Sequence, residues 1–472
     1  MKNFSIGGAM RSLLRTTSSS SSHASAAVAA SRAACAANTA SSARAISTRV
    51  AGIGNNVFAE ISQLAAQHGA VNLGQGFPSF HTPEYVQSFV KQAAIDAINA
   101  NNNQYTRPGG QLDYVNVLAD MYSPLFKRDL DPMTNIVTFN GAQEGIAAIM
   151  AALLEPGDEV VTFEPYFDAY KTVSTLLGIK TVGIPFELSP EKMREFQRSD
   201  TSETFSSRDF RIDLDKLDQL ITENTKMIVL NTPHNPTGKV FSKHELEQIA
   251  QVLQKHPHVL ILSDEVYEFM AYDRLAHERI GSFPGMFDRT ISLFSAGKTF
   301  SCTGWRVGYA VTPAHLTGAI TKAHSTVPFC GTTPFEVAMA SCFKQAQTNG
   351  YLDELKATLE AKRDRIVDAL TDANWRPIVP EGGYFVCCDV SHLPVFQEFA
   401  GIEITPELSK PQYPDYQFAY KLCKEHKLAV IPTSPFFSRP EHQLAPGVVR
   451  LAYCKDDKTL DDAIRVISSF KQ

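Results

Sequence analysis

Cysteine is sparse and unpatterned in this sequence: eight thiols in 472 residues, with no CxxC pair. That excludes a disulfide framework of the kind on which small secreted scaffolds depend. It predicts reduced thiols in an intracellular compartment. No stretch reaches the roughly 18 to 20 consecutive apolar residues that a membrane-spanning helix requires, so a soluble protein is expected. Positive charge is not in excess either, because 44 Lys and Arg stand against 50 Asp and Glu, a net charge of -6. Nucleic acid is therefore a poor fit as the main partner. With 44% hydrophobic and 20% charged residues, the chain can form two or three units of about 100 to 200 residues each. A small-molecule role fits best.

Another absence sets off the first 49 residues, which carry no carboxylate; the first acid is Glu60. What they carry instead is Lys2, Arg11, Arg15, Arg32, Arg44 and Arg49 among many Ser and Ala, with Phe4, Ile6, Met10, Leu13 and Leu14 able to line one helix face. This is the composition of a transit peptide, and it lacks the apolar core of a secretory signal. The expected address is the mitochondrial matrix, with the plastid as the alternative. A disordered low-complexity tail, built around the serine run at 18–22, is the competing reading.

From about residue 135 short β-branched runs alternate with helical patterns. Strands are predicted at 135–139, 159–163, 226–230, 259–263 and 290–294, and helices at 143–154, 168–177 and 245–255. Such alternation predicts an α/β fold with a mostly parallel sheet covered by helices on both faces. Ligands of such sheets bind beyond the carboxyl ends of the strands. Ser242-Lys243-His244-Glu245 reads as a capping box, and the polar stretch 189–211 as a surface excursion. After about Thr332 a long helix (334–371), short strands (383–390, 428–431, 448–453) and a final helix predict a second, α+β domain.

Three strand ends carry candidate chemistry. Asp264 ends the apolar run before Glu265-Val266-Tyr267, where a carboxylate could sit on a crevice floor or merely cap a helix. The run 231–238, Asn-Thr-Pro-His-Asn-Pro-Thr-Gly, holds Asn235 in a rigid loop, which could equally be a plain Asn-Pro turn. No further metal ligands accompany His234, and no metal is expected. The third strand ends in Ser295-Ala296-Gly297-Lys298-Thr299-Phe300, followed by Arg306. Gly297-Lys298-Thr299 could be a phosphate-loop fragment, but the first glycine of that motif would fall at position 292, which is serine.

The ordered set Asn-Pro-Thr-Gly, Asp-x-x-Tyr and Ser-x-x-Lys, with Arg eight residues after the lysine, resembles the class I aminotransferases of pyridoxal-phosphate fold type I. The resemblance covers roughly residues 55 to 470. The runs at 72–78, 103–106, 164–168 and 295–301 are most similar to the kynurenine aminotransferase and cysteine-conjugate β-lyase branch, and methionine and glutamine aminotransferases share them. The resemblance implies this organisation: a transit peptide (1–49), an N-terminal arm with part of a small domain (50–90), a large cofactor-binding domain (91–335) and a small C-terminal domain (336–472).

It also implies roles. Lys298 would be the catalytic lysine, joined to pyridoxal 5'-phosphate as an aldimine and later shuttling a proton. Asp264 would pair with the pyridine nitrogen, and Asn235 and Tyr267 with the ring's phenolic oxygen. Phe167 would stack on the ring. Gly141, Ala142 and Gln143, opening a helix, would hold the phosphate together with Ser295 and Arg306. Tyr105 would reach it from a neighbouring subunit, implying a homodimer, unless it is simply an interface aromatic. Arg450 would grip the substrate carboxylate as a two-pronged partner, Gly76 would allow close backbone approach, and Phe58, Phe329 and Tyr85 would make the pocket aromatic. Substrates would be an L-amino acid of kynurenine, glutamine, methionine or aromatic type and a 2-oxo acid.

Two positions depart from the kynurenine-type pattern: Ala142 stands where some relatives carry an aromatic, and Cys330 lies beside Phe329. A carbon-sulfur β-lyase or another eliminating enzyme on the same scaffold is the alternative activity. A cofactor-fold regulator would need a DNA-binding helix-turn-helix, for which the N-terminal segment has no suitable pattern.

Overall fold

The computed structural model describes residues 46–78, 87–197, 205–399 and 413–471. Tyr85 and the segment 198–204 lie outside them. Residues up to Gly52 form a separate unit, of which the described part holds one short helix, Thr48–Ala51.

In chain order the strands are β1 (Val71–Asn72), β2 (Ile136–Phe139), β3 (Glu159–Glu164), β4 (Lys180–Pro185) and β5 (Phe205–Ser206). There follow β6 (Thr225–Asn231), β7 (Leu260–Asp264), β8 (Thr290–Ser295) and β9 (Gly308–Val311). The last part contributes β10 (Arg376–Val379), β11 (Phe385–Asp389), β12 (Leu428–Ala429), β13 (Ile431–Pro432) and β14 (Val448–Ala452).

A seven-stranded sheet runs β2-β9-β8-β7-β6-β3-β4. Only β9 is antiparallel to its neighbours. Alternate side chains point to opposite faces of a strand, and both faces here are covered. Met227, Val229, Leu262 and Leu293 pack with the helices Ala142–Leu153 and Ala169–Leu177, while Ile228, Leu230 and Ile261 pack with Leu246, Ile249 and Leu253 of the helix Lys243–Gln254. Two buried faces explain why these strands read as continuous apolar runs. The expected capping box is present, with Ser242 and Glu245 exchanging side-chain-to-backbone bonds.

The second sheet, β13-β14-β11-β10-β5, carries the C-terminal strands. Three expectations need correction here. The long helix predicted over 334–371 is two helices, Thr333–Ala346 and Tyr351–Asp372, separated at Gly350, whose φ of +78° is left-handed and ends a helical path. The strand predicted over 428–431 is split between sheets: Leu428–Ala429 pairs in parallel with β1, and Ile431–Pro432 pairs with β14. The stretch 189–211 is not wholly a surface excursion, because Phe196, Phe205 and Phe210 are buried and β5 lies along β10. Its polar residues hid three aromatic anchors.

Among the described residues no helix is long and apolar enough to cross a membrane, and no cluster of His, Cys, Asp and Glu is arranged to hold a metal. The seven described cysteines are free and buried.

Candidate active site

The carboxyl ends of β2, β3, β6, β7 and β8 converge on one cavity of ≈ 230 Å³. That is below the roughly 300 to 1,000 Å³ of common ligand sites, so it suits a small molecule. Of the residues singled out from the sequence, Phe58, Gly76, Ala142, Gln143, Phe167, Asn235, Asp264, Tyr267, Ser295, Lys298, Arg306 and Arg450 line it. Gly141 adjoins it, since a Cβ there would lie 2.3 Å from the Arg306 guanidinium.

Asp264 is the last residue of β7 and is buried. No helix follows it, so the cap reading fails at this position. Tyr170 donates to Asp264 Oδ2 at 2.6 Å, and the Asn231 amide donates to the Asp264 backbone carbonyl at 2.9 Å. Burial pushes the Asp264 carboxyl up to about 6, against the lowering effect of the Tyr170 hydroxyl. A cation placed against it would restore the carboxylate.

Lys298 sits in the short helix Ala296–Thr299, capped by Ser295, whose Oγ accepts from the Lys298 backbone N–H at 3.3 Å. Its Nζ donates to Tyr384 Oη at 2.6 Å and to the Gly76 carbonyl at 3.1 Å, and Tyr384 itself donates to Gly76 O at 2.8 Å. Burial pulls the amine down to about 8. Such an amine is neutral in a useful fraction of molecules at physiological pH, which nucleophilic and proton-transfer roles require.

Arg450 is buried in the middle of β14. Nη1 donates to Asn235 Oδ1 at 3.0 Å and Nη2 to the Gly74 carbonyl at 2.9 Å, while Nε is buried without a partner. The guanidinium lies 4.0 Å from the Phe385 ring centroid, 4.8 Å from Phe58 and 5.5 Å from Phe436. None of the ion pairs found among the described residues includes it, although Asp168 is near enough to attract it. Burial pulls it down to about 10, so it remains cationic at neutral pH. A buried cation with an unused donor is costly unless an anion arrives to share it.

Asn235 is itself fixed by its backbone N–H donating to Asn231 Oδ1 at 2.7 Å. Tyr267 packs edge-on against Tyr384 at 5.0 Å, and burial holds its phenol well above the usual range. His234 is a buried structural residue of this loop: Nδ1 lies 2.9 Å from Thr237 Oγ1, and burial holds the ring neutral at about 3.

Tyr105 and Phe329 do not line the cavity. They are 82% and 52% exposed and pack edge-to-face at 5.0 Å. Cys330, though buried, is also absent from the lining. In the other direction, Tyr170 and Tyr384 belong to the site and were not anticipated. Neither carries a local signal of that role, since each meets its partner in the site only through the fold.

The residues 68–467 match the model of the family described as aminotransferase class I and II. The chain belongs to this family. Class I members use pyridoxal 5'-phosphate, and this aminotransferase does so too. Among its curated relatives, kynurenine–oxoglutarate transaminase of Dictyostelium discoideum is 39% identical over 419 residues, 88% of this chain and 94% of the relative. Kynurenine–oxoglutarate transaminase 3 of Mus musculus is 37% identical over 428 residues, 89% of each chain. Among solved structures, Bna3p of Saccharomyces cerevisiae, a candidate kynurenine aminotransferase, superposes with a TM-score of 0.81 at 29% identity, over 89% of this chain and 97% of that one. N-succinyldiaminopimelate aminotransferase of Mycobacterium tuberculosis gives 0.77 at 33%, over 90% and 99%. The aminotransferase thus has the α/β architecture of fold type I.

The site fits the cofactor. Gly141, with φ +87°, leaves room for Arg306 at the start of a 12-residue helix, a place where free N–H groups favour a phosphate. A carboxylate, an amine and an amide stand around the same cavity. When bound, pyridoxal phosphate supplies an electron sink for the carbanion formed at the substrate α-carbon.

Proposed function

We propose that this aminotransferase moves an amino group from an L-amino acid of kynurenine, glutamine, methionine or aromatic type to a 2-oxo acid, with 2-oxoglutarate as an acceptor. The observation that carries this reading is the setting of Arg450. Its guanidinium supplies a grip for an α-carboxylate, while Phe58 and Phe385 give the adjoining wall an aromatic surface, with Phe436 packed behind the guanidinium. The names of the curated relatives agree with it.

The geometry supports the following division of labour. Arg450 and Asn235 orient the substrate carboxylate. Lys298 Nζ, aimed by Tyr384 and Gly76, accepts the α-proton and returns it. Asp264 provides the negative charge that favours a protonated ring nitrogen, and Phe167 bounds the cavity beside Tyr170. Gly141, Ala142, Ser295 and Arg306 would hold the phosphate.

We further propose a homodimer, in which Tyr105 of one subunit reaches the neighbour's phosphate site, and a mitochondrial matrix location directed by residues 1–49. The exposed Tyr105–Phe329 pair supports the first and the acid-free leader composition the second. The proposed organisation keeps a large domain followed by a small C-terminal one, with the boundary moved from 335 to after Ala346; the packing of the helix Thr333–Ala346 on Ser88–Asn99 and Leu112–Phe126 supports that shift.

The test is a panel of donors (kynurenine, glutamine, methionine, phenylalanine) against several 2-oxo acids. Turnover of aromatic donors with 2-oxoglutarate is expected. Failure of all four donors, or keto-acid release without an acceptor, would overturn the transaminase reading of the substrate pocket. Sedimentation measures the dimer, and fractionation of cells expressing the chain with and without residues 1–49 measures the address.

A further inference from the structure

Four consecutive carbonyls, 74 to 77, point alternately in two directions. Gly74 O accepts from Arg450 Nη2 at 2.9 Å, and Gly76 O accepts from Lys298 Nζ at 3.1 Å. Gln75 O and Phe77 O turn the other way and both accept from Lys455 Nζ, each at 2.9 Å. Successive carbonyls are joined through planar peptide units, so an ammonium that holds Gln75 O and Phe77 O also restrains Gly74 O and Gly76 O between and beside them. Lys455 is 2% exposed, and its amine also lies 4.6 Å from the Phe77 ring centroid.

We propose that Lys455 is a positioning residue for transamination, clamping the strip 74–77 so that its inward carbonyls hold Lys298 and Arg450 in register. None of the ion pairs among the described residues involves Lys455, so its charge is committed to these two carbonyls. The strip's other anchors are Tyr384, which donates to Gly76 O at 2.8 Å, and Asn72, whose Oδ1 accepts from Gly74 N at 2.9 Å; neither holds the carbonyls of Gln75 and Phe77. Gly76 cannot carry a side chain, since a Cβ would fall 2.4 Å from Phe385 Cζ. Removing the ammonium takes from two part-buried carbonyls the donor they share, and the strip should shift as they turn to water.

The inference rests on the aminotransferase site and not on which donor is preferred. It is tested on the holoenzyme with Lys455→Met, which keeps length and loses the donors, and Lys455→Gln, which keeps two N–H donors without charge. Binding of 3-phenylpropanoate, an unreactive carboxylic acid, is measured by calorimetry alongside kcat and KM for the best donor. Lys455→Met should weaken acid binding and raise KM by about tenfold, a shift of ~1.4 kcal/mol, with kcat falling as well. Lys455→Gln should recover part of each. If Lys455→Met does not fold, the same readouts on Lys455→Gln and Lys455→Arg decide, with Arg expected to be the closer to wild type. Wild-type acid affinity and kinetics in a folded Met or Gln variant, even one with a lowered Tm, would overturn the proposal. If the wild-type holoenzyme itself neither binds the acid nor turns over any donor, the reading of the pocket fails instead.

Discussion

Tyr170 and Asp264 are bound through a 2.6 Å hydrogen bond in which the phenol donates to a buried carboxylate. The bond favours the ionised form that burial opposes. Tyr170→Phe therefore raises the Asp264 carboxyl further and weakens its hold on a protonated ring nitrogen. We expect kcat to fall about tenfold, the effect of losing one charge-assisted hydrogen bond, with KM for the donor changing less. Steady-state kinetics at saturating cofactor check it.

Loss of Lys298 removes both the attachment amine and the proton carrier. Lys298→Ala should lower turnover by at least about 10²- to 10⁴-fold, the range for a positioned acid-base group, while circular dichroism and Tm stay near those of the parent. Near-native turnover would remove the residue from the mechanism.

The amine's environment gives a pH signature in the cofactor-free protein. Burial lowers the ammonium's pKa to about 8, against about 10.4 for an exposed lysine. Acylation by a small water-soluble reagent, followed at Lys298 by mass spectrometry, should rise through a midpoint near pH 8. Surface lysines should titrate about two units later. The linked stability has a definite sign: between pH 8 and 10.4 the unfolded chain binds more protons at this residue, so its contribution to stability increases with pH across that window.

Arg450→Lys keeps the charge but loses the planar fork. The Asn235 and Gly74 contacts come from two different nitrogens, and a lysine cannot maintain both while also receiving a carboxylate. KM for donor and acceptor should rise at least about tenfold. Equal affinity in the variant would mean that the carboxylate is bound elsewhere.

Much of this site was legible because its parts lie at strand ends. Predicted strands at 159–163, 226–230 and 290–294 match β3, β6 and β8 to within a residue at each end, since continuous β-branched runs bounded by turn residues leave little choice. Lys298, Asp264, Asn235 and Arg450 could be named from local motifs. Tyr170, Tyr384 and Lys455 could not, as their partners are 94, 86 and about 380 positions away. A tyrosine entering a strand or a lysine after one carries no local mark of what it will meet. The broken helix at Gly350 and the split run at 428–431 failed for a related reason: continuity of pattern does not reveal a change of direction.

The amine and the carboxylate grip have separate roots, Lys298 after β8 of the larger sheet and Arg450 within β14 of the smaller one. A molecule held by both is a brace across the seam between the two sheets. Its binding free energy then adds to the cohesion of the whole unit, by about 2.7 kcal/mol at a hundred times Kd. Substrate supply and resistance to unfolding become linked quantities in this enzyme, with the strip 74–77 as the place where they meet.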